Sequence, residues 1–423
     1  MKPIERQGHR PHIVVINRWQ ERYAEYGRYL DHERHQVSYI STVVGLASVP
    51  PGAAATVLVD ATDDLPAVRA AVRDLAVRHG APAAVVALKE DDLLVGAQLR
   101  QEWQCPGGPR PHDLLVFRDK GAMCQAIHQA GLAVPAFAEA HDADAVRDFA
   151  ADHGWPVIVK PHIGSSSAGV VRLEEPADLA AVSFDAEPLL VQAYCADPIY
   201  HVDGVFDGSD VVTYRASRYL NTCLGFRSGS VLGSVEEDDP LLHNAIGEAA
   251  TRFLAALSDA PTVFHLEIFV GADSPSRPVC TFLEVGARTG GAEIPFVWRE
   301  LHGYDLMEAA MRTQLGWDIP SVRSAGPGSG AVGGWLLVPA PAGRPCRITE
   351  ATPMVGRVPG PYAESVLRPG QILPAADAYY EHVGGRFRFR GATSAEVEHA
   401  IVSTASHYRV AATPVPHTEA VPA

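Results

Sequence analysis

Residues 154–173 read GWPVIVKPHIGSSSAGVVRL, and the reading of this stretch decides the fold. Trp155–Val159 is largely apolar and β-branched, Gly164–Gly169 has turn chemistry, and Val170–Leu173 returns to strand-forming residues, so a hairpin is expected. Lys160 precedes the small residues. A Walker loop places its lysine after the glycines at a helix start, and a dinucleotide fingerprint needs GxGxxG between strand and helix. Neither spelling is present. A flexible tip with many exposed backbone N–H groups, next to a lysine, suits an anion beneath it; a plain surface hairpin with a serine-rich turn is the other reading.

Working outward, the chain has 423 residues, 47% of them hydrophobic and 20% charged. That length points to two to four domains with ample core. No stretch approaches the roughly 18 continuous apolar residues of a membrane span, and the opening MKPIERQGHR lacks the apolar core of a signal peptide. A cytoplasmic protein that binds no membrane is expected. The formal charge of −15 opposes general binding to nucleic acid, because a polyanion is repelled overall; any phosphate site must be locally basic. The six cysteines are scattered without a CxxC or zinc spacing, which suits reduced thiols. Among 35 basic residues only Lys2, Lys89, Lys120 and Lys160 are lysines. Sparing use of a compact point charge draws attention to Lys120 and Lys160.

The first hundred residues alternate strand and helix signals, as in HIVVINR, HQVSYISTV, the helical Pro66–His79 and PAAVVALKEDD, and this pattern gives a small parallel sheet covered by helices. Without a glycine fingerprint after the first strand, no dinucleotide site is assigned there. CPGGPRPH at 105–112 reads as a linker. Asp119 is expected to cap a helix running to Gly131. PLLVQAYC is a buried strand, a hairpin turns at Asp207-Gly208, PLLHNAIGEAATRFLAAL is a long amphipathic helix, and VFHLEIFV and VCTFLEVGARTGG are two further strands. SAGPGSGAVGG marks another boundary, followed by strand-rich sequence and a helix near Ala395–Tyr408; AATPVPHTEAVPA reads as a disordered tail. The expected division is 1–112, an N-terminal α/β domain; 113–322, a central domain with its hairpin lid near 162–169; 323–410, a C-terminal α+β capping domain; and 411–423, the tail.

Two carboxylates, Glu267 and Glu284, lie in successive apolar strands. Isolated carboxylates there are costly unless paired or bound to metal. Antiparallel pairing would bring both onto one face, as an oxygen-rich site suited to magnesium.

The order DKGAMCQAIHQAGLAVP, GWPVIVKPHIGSSSAGVVRL, LLVQAYCADPIYHVDGVF, HLEIF and FLEVGARTGG, from about Leu114 to Trp317, resembles the ATP-grasp superfamily. The resemblance implies a fold of mixed α/β and α+β type: a small parallel-sheet N-terminal domain, a two-subdomain nucleotide-binding centre and a strand-rich cap. It implies that ATP is held by Lys120 and Lys160 beneath a lid containing Gly164, Ser165, Ser166 and Ser167, and by the hinge Gln192, Ala193, Tyr194 and Cys195, with Gln192 in place of a frequent glutamate. Asp203 matches an acidic or ribose-contacting position. Glu267 and Glu284 match ligands for Mg²⁺, with two ions expected, although Gly286 stands where an asparagine usually completes the second shell. Arg288 matches an arginine that holds phosphate or acyl phosphate.

Within the superfamily the chain looks most like the L-amino-acid ligase and carboxylate-amine ligase group, through EVGARTGG, VFHLEIF and the C-terminal stretch ending HVGGRFRFRGATSAEVEHAI. This implies amide formation between small carboxylate and amine substrates of amino-acid type, through an acyl phosphate, with release of ADP and phosphate. A homodimer is compatible with it. Gly290 and Gly291 would let backbone N–H groups approach the substrate, Glu293 would hold its ammonium, and Arg215 and Arg227 its carboxylate. His265 reads as a packed strand histidine. A bicarbonate-using or purine-pathway enzyme and a non-catalytic nucleotide-binding module are the alternatives.

Overall fold

The computed structural model describes residues 10–20, 22–165, 167–185, 187–274, 277–319, 330–374 and 383–416. The alternating signals of the N-terminal region become β1 (His12–Asn17), α1 (Tyr26–Tyr29), β2 (Gln36–Ser41), β3 (Ala55–Leu58), α2 (Leu65–His79), β4 (Ala84–Ala87) and α3 (Leu93–Glu102). The strands pair in parallel in the order β3-β2-β1-β4. β1 is buried at every position, as a central strand covered on both faces must be. Asp64 caps α2 by accepting from the Ala67 N–H, and Gly80, at φ +86°, ends it. Because β1 has β2 on one side and β4 on the other, a crevice opens beyond the carboxyl ends of β1 and β4. Arg18, Trp19 and Lys89–Asp92 follow the carboxyl ends of those two strands.

The expected linker at 105–112 is in fact packed against the body of the protein. Arg100, fully buried, donates to the carbonyls of Val85 and Pro109 and to Gln314 Oε1. A Cβ on Gly107 would stand 2.3 Å from the Gly316 nitrogen, so only glycine permits this approach. The short helix α4 (Pro111–Leu115) follows.

The opening stretch does form a hairpin. After α5 (Lys120–Gln129), β5 (Phe137–Ala140) and α6 (Ala143–His153), the strands β6 (Val157–Pro161), β7 (Val171–Leu173) and β8 (Leu189–Ala193) complete an antiparallel sheet of order β5-β8-β6-β7. Val146, Phe149, Val157, Val159 and Val191 form its core with α6. Asp119 caps α5 through the Ala122 N–H, which places Lys120 at the first helical position.

The remaining chain builds a larger sheet. Its strands are β9 (Ile199–Phe206), β10 (Val211–Tyr219), β11 (Leu232–Glu236), β12 (Thr262–Ser274) and β13 (Arg277–Gly286), interleaved with α7 (Cys223–Arg227) and α8 (Pro240–Leu257). Beyond α9 (Ile294–His302) and α10 (Leu306–Leu315) come β14 (Val332–Pro339), β15 (Cys346–Ala351), β16 (Ala363–Val366), β17 (Ile372–Leu373), β18 (Val383–Gly391), α11 (Ser394–His407) and β19 (Val410–Pro414).

Two corrections follow. The C-terminal region does not stand apart: β14, β18 and β16 continue one eight-stranded sheet of order β13-β12-β9-β10-β11-β14-β18-β16, because β14 pairs with β11. The boundary expected at 322 falls outside the described residues. The expected tail also begins too early, since residues 410–414 pair with β15 as β19; residues 417–423 lie outside the described residues.

Candidate active site

Two rows of the strand register carry the candidate residues. Glu284 lies opposite Glu267, Glu267 opposite His201, His201 opposite Ser217, and Ser217 opposite Glu236. In the adjacent row, Gly286 faces His265, His265 faces Asp203, and Asp203 faces Arg215. Residues two apart on a strand share a face, so one face of the sheet is studded with ionisable groups.

Between this sheet and the β5-β8-β6-β7 sheet lies a cleft of about 360 Å³, lined among others by Lys120, Lys160, Gly164, Ser165, Ser167, Gln192–Cys195, Glu267 and Glu284. Ser166 lies outside the described residues. Lys160, only 3% exposed, donates to Gln192 Oε1 at 2.9 Å. Burial lowers its pKa, with Glu284 acting in the opposite direction. Its direct partner is a neutral amide, so its charge is available to an anion in the cleft. Lys120 Nζ donates to the Gly164 carbonyl at 3.0 Å and stands 3.3 Å from Glu284 Oε2, which ties the hairpin loop to β13. Tyr194 and Cys195 reach the surface, and Arg172 stacks 4.1 Å over the Tyr194 ring.

Glu267 Oε1 accepts from Tyr219 at 2.9 Å and lies 3.7 Å from His265 Nε2. Burial alone would raise the Glu267 pKa, but His265 and Tyr219 hold it below the usual carboxylate value. Two ionised carboxylates facing each other repel unless a cation sits with them. Of the two, Glu284 meets Lys120 and Glu267 meets His265, and no ion pair among the described residues bridges both carboxylates. An all-oxygen, doubly anionic pair therefore fits Mg²⁺. Gly286 supplies no side-chain oxygen to a second ion.

Beside the pair, His201, Asp203 and His265 form a buried cluster whose ligand-type atoms all lie within 4.8 Å of one another. Asp203 Oδ2 is 2.6 Å from His201 Nδ1 and Oδ1 is 2.8 Å from His265 Nδ1, while His201 Nε2 meets Ser234 Oγ at 2.7 Å. Burial disfavours charge on His265, yet Asp203 and Glu267 outweigh it and place its pKa at about 9. Both Asp203 oxygens are engaged by the two imidazoles, so the cluster is a hydrogen-bonded relay. This corrects two expectations. Asp203, 1% exposed with both oxygens engaged, is not open to a nucleotide's ribose, and His265 is an ion-paired residue rather than a merely packed one.

Gly290 closes over this relay. A Cβ there would lie 2.2 Å from Asp203 Oδ1 and 2.9 Å from His265 Nδ1. Gly290→Ala is therefore expected to cost about 1–3 kcal/mol of stability through overpacking, measured by urea denaturation; unchanged unfolding would count against this contact. Gly291 has open space instead.

Arg288 sits on the loop leaving β13. Its Nε and Nη2 both reach Glu90 Oε2 at 2.7 Å, and Arg118 grips Glu90 Oε1 at 2.7 Å from the other side. Burial opposes charge on Arg288, but Glu90 raises its pKa further; burial likewise opposes charge on Glu90, and Arg288 and Arg118 keep it ionised. Glu90 is the main residue that sequence reasoning missed. The available signal was its place in KEDD, just past β4, at the mouth of the crevice.

Other expected substrate residues are placed differently. Glu293 is fully buried, and its oxygens meet Arg22 at 2.7 and 2.9 Å and Arg388 at 2.8 Å, with Arg386 at 3.6 Å. Its charge is already answered by three guanidiniums, so it is not available to an ammonium. Arg215 lies in β10, with Nη2 3.5 Å from His302 Nδ1. Arg227 ends α7 at the surface. Neither lines the cleft described above.

This architecture is the ATP-grasp fold: a parallel-sheet domain precedes two antiparallel sheets that clasp a lysine- and carboxylate-lined cleft. The chain is similar over 96% of its length to 99% of the L-amino acid ligase from Bacillus licheniformis, with a TM-score of 0.74 and 18% identity. It is similar over 95% of its length to 92% of the biotin carboxylase chain from Campylobacter jejuni, with a TM-score of 0.63 and 15% identity. In sequence it is 28% identical over 269 residues, 61% of this chain, to the carbamoyl phosphate synthase large chain of Kineococcus radiotolerans. It spans 23% of that protein. No family model matches.

Proposed function

We propose that the chain is an ATP-dependent, ADP-forming carboxylate–amine ligase that joins amino-acid-like substrates through an acyl phosphate. The observation that carries this reading is the convergence of Lys120, Lys160, Glu267 and Glu284 on one cleft, with Arg288 held beside it by Glu90. The likeness to an L-amino acid ligase along nearly the whole chain supports an amine as the acceptor.

In this reading the adenine lies against residues 192–195 and the triphosphate between Lys120 and Lys160, below the 164–169 loop. Glu267 and Glu284 hold Mg²⁺, which when bound offsets phosphate charge. In the first step a substrate carboxylate oxygen attacks the γ-phosphorus: the new O–P bond forms, the bond from the γ-phosphorus to the β-phosphate oxygen breaks, and ADP departs with the electron pair, leaving the acyl phosphate. Bringing two like charges to 4 Å costs about 4 kcal/mol at an effective dielectric of 20, and Lys120, Lys160 and Arg288 oppose that repulsion. The loop over the phosphates excludes water, which protects the acyl phosphate. In the second step the amine attacks the acyl carbon: the C–N bond forms, the C–O bond to phosphate breaks, phosphate departs with the electron pair, and the amine loses a proton. Arg288, fixed in place by Glu90, stabilises the oxyanion of that step.

The test is phosphate release by the purified protein with MgATP across pairs of amino acids, followed by mass spectrometry. Amide product in proportion to ADP is expected. ADP formation without amide in every pair would refute the assignment.

A further inference from the structure

The two facing carboxylates are not held alike. Glu267 Oε1 accepts from the Tyr219 hydroxyl at 2.9 Å, and Cys223 Sγ and His265 Nε2 stand 4.0 and 3.7 Å from that same oxygen. Among the described residues, no hydrogen bond or ion pair of Glu267 is to Oε2. The Glu267 side chain is 13% exposed, against 35% for Glu284, which meets Lys120 through Oε2. Both glutamates and Tyr219 line the cleft. Glu267 therefore offers the cleft one oxygen in a fixed place, whereas Glu284 has room to turn.

Tyr219 is itself fixed. It ends β10, opposite Ser234 of β11, which lies opposite Trp335 of β14. Its ring centroid is 4.8 Å from that of His201, and 6.2 Å from that of Trp335 in an edge-on arrangement. Ring packing of this kind sets the hydroxyl position independently of Glu267. A cation entering the cleft thus meets a carboxylate with one oxygen already engaged by a donor that has little freedom to leave. The consequence differs between ions. Mg²⁺ demands octahedral geometry at about 2.0–2.1 Å, keeps several waters and is served by single carboxylate oxygens; Ca²⁺ takes about six to eight oxygens and readily grips both oxygens of one carboxylate.

We propose that Tyr219 is a positioning residue that makes the cleft discriminate Mg²⁺ from Ca²⁺: by engaging Glu267 Oε1 it leaves Oε2 alone for the cation and withholds the two-oxygen grip that suits the larger ion. This rests on the reading of Glu267 and Glu284 as the metal ligands.

Mn²⁺ serves as the probe. The full chain is titrated with Mn²⁺, free Mn²⁺ is read by electron paramagnetic resonance, and Mg²⁺ or Ca²⁺ is then added as competitor. The native chain is expected to bind Mn²⁺, more weakly in Glu284→Gln, and to release it to Mg²⁺ at a concentration about tenfold lower than to Ca²⁺. Tyr219→Phe keeps the ring between His201 and Trp335 and should bring the two concentrations near parity; Tyr219→Met removes the same hydroxyl and is read in the same way. Loosened packing would weaken both ions alike, so an unmoved ratio overturns the proposal, as does parity in the native chain. Mn²⁺ binding that Glu284→Gln leaves unchanged would instead remove the metal assignment on which the proposal stands.

Discussion

Glu284→Gln is expected to lower substrate-dependent ADP release by about a thousandfold while leaving the fold intact. A loss of that size corresponds to about 4 kcal/mol of transition-state stabilisation, in the range expected when a charge-neutralising group is removed from a phosphoryl-transfer site. Glutamine keeps the shape and the strand pairing with Glu267 but removes one of the two negative charges that suit the pair to Mg²⁺. It also leaves Lys120, 3.3 Å away, without its carboxylate partner. The variant should demand more Mg²⁺ for half-maximal rate and keep its far-ultraviolet circular dichroism. Native turnover, or loss of folded signal in step with activity, would sink the metal assignment.

Lys160→Met is expected to lower the same activity by about a hundredfold to a thousandfold with little loss of stability. The side chain is buried on β6 and its charge is disfavoured there, so an apolar replacement of similar length relieves desolvation and forfeits only the hydrogen bond to Gln192. That combination separates function from architecture. A lysine retained for the fold would show a lowered melting temperature and near-native kinetics; one retained for an anionic ligand shows the reverse, together with a raised KM for ATP.

The site was legible to the extent that it follows from local pattern. Lys120 follows a capping aspartate, Lys160 ends an apolar strand, and Glu267 and Glu284 interrupt two more; each is an anomaly visible along the chain, and antiparallel pairing does bring the last two opposite each other. What local pattern could not carry was partnership across distance. Glu90 and Arg288 are separated by 198 positions, and nothing near either one names the other. Glu293 was misread for the same reason: a carboxylate before a helix is an ordinary start signal, whereas its three arginine partners arrive from β18 and from the segment after β1. The C-terminal strands were recognisable as strands, but their sheet membership depends on β11 pairing with β14, a choice no local propensity specifies.

The two polar rows across the large sheet also govern how this protein can fail. Side chains alternate along a strand, so shifting β12 by one residue would withdraw His265 and Glu267 together and present Leu266 in their place. It would also strand two charged groups among the buried residues on the opposite face, Leu266 and Ile268 being fully buried now. The strand is therefore held in one alignment by the same residues that build the proposed site. Molecules that misalign β12 lose Glu267 and His265 together, so a refolded batch of half the usual specific activity would be a mixture of intact and inert molecules, not a uniform population of slow ones.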